Sequence, residues 1–107
     1  MNNQTLFITQ NAPFVKLLRV NQSDGSPLDL TGYTSYMVLM KYVGSSTKFQ
    51  IDGVHESPEN GIIKISIASN STDILPEGLM HYSIYLQPAT GDKMIVEFGI
   101  AKIIGTA

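Results

Sequence analysis

The chain has 107 residues, a formal net charge of −2, 43% hydrophobic and 15% charged residues, and no cysteine. Its length supplies one hydrophobic core, so residues 1–107 are expected to form a single domain. The missing cysteines exclude disulfides, thiolate nucleophiles and zinc–thiolate sites, and the singly scattered lysines and arginine leave no basic stripe for nucleic acid.

The elements in chain order read as strands. Met1-Asn2-Asn3-Gln4-Thr5 lacks the character of a signal peptide, and no apolar run approaches the ~20 residues of a membrane span, so no membrane is expected as a partner. The sequons at Asn3, Asn21 and Asn70 are read as coincidence in an Asn/Ser/Thr-rich chain. Leu6-Phe7-Ile8 is a short first strand within a segment, residues 1–10, expected either to pair with its own sheet or to serve as an arm to a neighbouring subunit. Phe14 to Val20 is the second strand, closed by a turn in which Asp24-Gly25 supplies a positive φ. Leu28-Asp29-Leu30-Thr31-Gly32 is a connector whose leucines plug the end of the core.

Tyr33 to Val43 is the longest predicted strand, rich in β-branched and aromatic residues. Gly44-Ser45-Ser46-Thr47 turns the chain into Lys48 to Ile51. Asn60-Gly61 then precedes Ile62 to Ile67, with Ile63, Ile65 and Ile67 on one face. Residues 71–78 carry helix start and stop signals but suffice for a single turn. Leu79 to Gln87 and Lys93 to Ile104 complete about seven strands separated by Gly, Pro and Asn turns, which is the pattern of an all-β sandwich.

No assembled chemistry emerges. His55 and His81 lie on separate segments outside any metal-binding pattern, and both are assigned to the surface or rim. Asp52, Glu56 and Glu59 gather around one loop, but Ser57-Pro58 interrupts them and their spacing fits no calcium loop; they are assigned to solvent. Phosphate-cradling glycine motifs are absent. No catalytic residue, cofactor or metal is therefore expected, and enzyme is the weakest class.

The third strand is the informative oddity. A strand with one face in water alternates apolar with polar residues. This one places Tyr36, Val38, Met40 and Tyr42 on the face opposite Met37 and Leu39. Either the chain's own loops cover that face or it belongs to a subunit interface, since Tyr and Met are enriched in interface cores. The candidate interface residues are Leu6, Phe7, Ile8, Tyr36, Val38, Met40, Tyr42 and Tyr85. A carbohydrate platform built on the tyrosines is the competing reading; the chain has no tryptophan, and Met and Val between the tyrosines suit protein contacts better.

The run from Asp24 to Thr34 (Asp-Gly-Ser-Pro-Leu-Asp-Leu-Thr-Gly-Tyr-Thr), then Gly61-Ile62-Ile63-Lys64-Ile65, Ile74 to Ile84, and Phe98 to Ile103 resemble, in that order, a small domain widespread in tailed-phage structural proteins. The family includes the N-terminal region of baseplate upper proteins. Leu79-Met80 and Ser83 depart from its usual pattern, which carries an aromatic after the glycine and an Asp after the tyrosine. The resemblance spans about Phe14 to Ile104. It implies an immunoglobulin-like, mostly antiparallel sandwich without catalysis, located in a virion assembled in the bacterial cytoplasm, whose partners are other virion proteins and further copies of itself. Tail, neck, baseplate and capsid decoration are all compatible with it.

Overall fold

The computed structural model describes residues 2–41, 48–68, 72 and 75–105. Seven strands follow in order: β1 (Asn2–Thr9), β2 (Phe14–Arg19), β3 (Thr34–Met40), β4 (Lys48–Asp52), β5 (Ile62–Ile67), β6 (Gly78–Gln87) and β7 (Met94–Ile104). They form two sheets, β1-β7-β6-β3-β4 and β2-β5, packed as a β-sandwich. Every pairing is antiparallel except β1 with β7, which run parallel. The N-terminal segment is thus the edge strand of its own sheet.

Period-2 alternation places the core. Ile63, Ile65 and Ile67 point inward from β5, and meet Met37 and Leu39 of β3 and Tyr82, Ile84 and Leu86 of β6. Burying each such aliphatic side chain contributes about 1.5–3 kcal/mol. Leu30 closes one end of the sandwich as expected; it is 1% exposed, and its backbone N–H donates to Pro58 O at 2.8 Å.

The Asp24-to-Thr34 box is turn chemistry. Asp24 Oδ1 accepts from the Ser26 backbone N–H and hydroxyl, and Asp29 Oδ1 accepts likewise from Thr31. These bonds stabilise the carboxylates and hold both acids below their usual range. Gly25 and Gly32 take positive φ at the two corners. A 3-10 turn at Pro58–Asn60 ends on Gly61, where φ is 70° and an added Cβ would strike the Val20 carbonyl. Of the helical turn expected at 71–78, residues 71, 73 and 74 lie outside the described residues; Thr72 N–H donates to Ala68 O and Leu75 N–H to Thr72 O. The turn expected at 44–47 also lies outside them, and β3 is described only to Met40 and the bend at Lys41.

Candidate functional site

The register of the five-stranded sheet arranges its outer face in rows across the strands. The central row is Gln50–Val38–Ser83–Phe98. One flanking row is Asp52–Tyr36–Tyr85–Ile95, and the other is Lys48–Met40–His81–Ile100. A β-bulge between Ile84 and Tyr85 makes the first of these rows possible. It tucks Val96 against the core and turns Ile95 outward opposite Tyr85. Beyond the rows, Phe7 and Leu79 are 61% and 64% exposed, on either side of Lys102.

This face sets apolar and aromatic side chains among the polar Gln50, Ser83 and His81, and carries charge at its margin. Tyr36 and Tyr85 stack with centroids 5.2 Å apart and planes 28° from parallel, and Lys93 Nζ lies 4.6 Å from the Tyr85 centroid. Lys48 and Asp52 occupy the β4 edge. In the central row Phe98 and Gln50 are exposed, and Val38 and Ser83 are half-buried.

The expected interface residues divide between two faces. Tyr36, Val38, Met40 and Tyr85 are brought together on the outer face, half-buried, and Phe7 joins it at the β1 edge. Leu6 and Ile8 are a correction. They point inward from β1 into the chain's own core, at 8% and 0% exposure, so an exposed arm built on all three apolar residues is not what forms. Alternation in a paired strand allows only Phe7 to face out. Tyr42 lies outside the described residues. The sequence reading missed Ile95, Phe98, Ile100 and Leu79. On β7 the inward positions are Glu97, Gly99, Ala101 and Ile103, so along its middle a charged and two small residues face the core while Phe98 and Ile100 face out.

Polar chemistry gathers at two other places. Between the sheets, Tyr82 Oη donates to Glu97 Oε2 at 2.9 Å, and Lys16 Nζ lies 3.2 Å from the same oxygen. Glu97 is fully buried, and its Oε1 makes no hydrogen bond among the described residues. Burial, then the hydrogen bond to Glu97 and its negative charge, push the Tyr82 phenol above its ordinary range. Neither Glu97 nor Lys16 stood out in the sequence, although each sits at an inward position of its strand.

At one end of β3, Ser35 Oγ lies 2.7 Å from His55 Nε2. Gly53 makes this approach possible, since an added Cβ there would collide with Ser35 Oγ. Burial lowers the His55 pKa. A Ser–His hydrogen bond is the geometry of a nucleophile and its base. Here the hydroxyl is 4% exposed, however, and no carboxylate orients the ring among the described residues. The pair therefore reads as a tie between β3 and the segment after β4. Asp52, Glu56 and Glu59 do not converge. Glu56 pairs with Lys64 at 3.1 Å and Asp52 accepts from Gln50; no group of three metal-ligating side chains forms among the described residues.

Neither a protein-family model nor a curated protein sequence matches the chain. Among solved structures, the N-terminal domain of ORF48 of phage TP901-1 has a similar fold. The TM-score is 0.64 at 12% identity, with 97% of this chain and 89% of that one covered. At this identity the likeness is one of fold, and it extends over nearly the whole of both chains.

Proposed function

We propose that the protein is a non-enzymatic structural component of a bacteriophage virion, an immunoglobulin-like module that acts through protein–protein contacts of its outer sheet face. The observation that carries this reading is the group of large apolar and aromatic side chains on that face, Phe7, Leu79, Ile95 and Phe98 exposed beside Tyr36, Val38, Met40 and Tyr85, with charge at its margin. The phage origin of the similar fold, together with the ordered turn and strand boxes of the sequence, supports a place in the particle. A carbohydrate platform is the weaker reading. Sugars stack on free ring faces, and the Tyr85 ring is already engaged by Tyr36 and Lys93.

The test is mass spectrometry of gradient-purified particles from a lysate of the phage that encodes the chain. The protein is expected in the particle band at fixed stoichiometry, and Val38→Arg is expected to remove it from that band while leaving the isolated domain folded. Absence of the unaltered protein from particles would overturn the reading. A glycan array is expected to give no saturable binding.

A further inference from the structure

The three central rows carry an internal complementarity. About the central row as an axis, a half-turn exchanges the two flanking rows. Asp52 then exchanges with Lys48, Tyr36 with Met40, Tyr85 with His81, and Ile95 with Ile100. Within these rows each exchange joins groups that attract, a carboxylate and an ammonium, a ring and a thioether, two rings, and two aliphatic side chains, whereas the next outward positions on β7 set Lys102 near Lys93. Residues of the central row would meet their own copies, and none of Gln50, Val38, Ser83 and Phe98 is charged.

From this we infer that the outer face of the five-stranded sheet docks on the same face of a second copy of this chain. The twofold axis runs along the row Gln50–Val38–Ser83–Phe98, and the strands of the two copies run in opposite directions. The inference rests on the reading of this face as a protein-contact surface and adds the identity of the partner. An isologous contact requires each residue to meet its exchange partner, as this arrangement does. The alternative twofold axis, along the strands, would set Asp52 on the β4 edge against the β1 side of the other copy, away from Lys48.

The area sets the strength of the contact. Five strands spaced ~4.8 Å apart and about seven residues long present a face of roughly 24 by 23 Å. In projection this is about 550 Å², below the ~800 Å² per partner of a standard interface, so the dimer is expected to be weak and reversible.

The experiment uses the cysteine-free full chain. Sedimentation velocity over a range of concentrations is expected to show a monomer–dimer equilibrium. Val38→Cys is expected to give a covalent dimer with a short bis-maleimide, and a mixture of Asp52→Cys and Lys48→Cys chains to give the mixed dimer. Asp52→Lys and Lys48→Asp, each alone, are expected to weaken the dimer about fivefold, and the two together in one chain to restore it. Circular dichroism melting checks that every variant is folded. A monomer at all concentrations overturns the inference, and so does a dimer that gives no mixed Asp52–Lys48 product. In the monomer case, loss of Val38→Arg from particles leaves the assembly reading standing with a different protein on this face. Normal incorporation of Val38→Arg removes that reading as well.

Discussion

Each face of the five-stranded sheet departs from the usual rule at one place. The inner face, otherwise apolar and packed against β2 and β5, holds the Glu97 carboxylate and the Tyr82 phenol, which meet the Lys16 ammonium of β2. The outer face holds stacked tyrosines and exposed aliphatic and aromatic side chains. On β7 the two departures fall on neighbours, with Glu97 buried and Phe98 exposed. On the proposed reading, stability and association fall to different side chains. Substitutions on the inner face should act on folding, and those on the outer face should act on partners.

The largest effect is expected from Lys16→Met, which leaves the Glu97 carboxylate buried with only the Tyr82 hydroxyl for company. Removing one partner of a buried ion pair costs about 3–5 kcal/mol, measurable by urea denaturation, and the lower end is expected because Lys16 is partly open to solvent. The double variant Lys16→Met/Glu97→Leu should recover most of that loss, since apolar replacement of a whole buried pair is often neutral or better. If Lys16→Met alone is neutral, the inner cluster is not an interacting unit. Tyr82→Phe should cost less, about 1–2 kcal/mol, because it removes a single hydrogen bond to a charged group. It should also change the alkaline limb of stability. A phenol whose folded pKa lies above its unfolded value of about 10 stays protonated in the fold while the unfolded chain ionises. Stability is therefore lost as pH rises beyond about 10, and Tyr82→Phe should flatten that loss.

A smaller effect is expected at Ser35–His55. His55 is held below its unfolded value of about 6.5, so the folded chain binds its proton less readily than the unfolded one. Its contribution is complete above about pH 6.5 and declines as pH falls through that value towards the folded pKa. Denaturation midpoints taken from pH 7.5 to pH 5 should fall, and His55→Asn should reduce the slope. An unchanged slope would mean that carboxylates alone account for the acid limb.

The strands and turns were legible because their signals are local. Ile63, Ile65 and Ile67 alternate with Lys64 and Ser66; the Asp24 and Asp29 turns follow from side chains that bond two residues ahead. The parallel docking of β1 on β7 was not legible, since it joins residues 2–9 to residues 97–104 and no local pattern encodes it. That docking also decides why Leu6 and Ile8 belong to the core and Phe7 does not. The outer face was legible on β3, where Tyr36, Val38 and Met40 interrupt the expected polar alternation. On β7 the signal was hidden because size runs against burial there, the inward Gly99 and Ala101 being smaller than the outward Phe98 and Ile100.

The smallest effect on folding is expected on the outer face, and it is the one that most sharpens the contrast. Leu79→Ser and Phe7→Ser remove large apolar groups that are mostly in water already, so each should change stability by no more than about 0.5 kcal/mol in dilute solution. The decisive reading is the pairing of two measurements on one variant, the melting curve and the amount of protein found in particles. An outer-face variant with an unaltered melt and reduced incorporation belongs to a surface kept apolar for a neighbour. One that melts early would show instead that the chain itself uses the outer face for stability, and the separation between the two faces would fail.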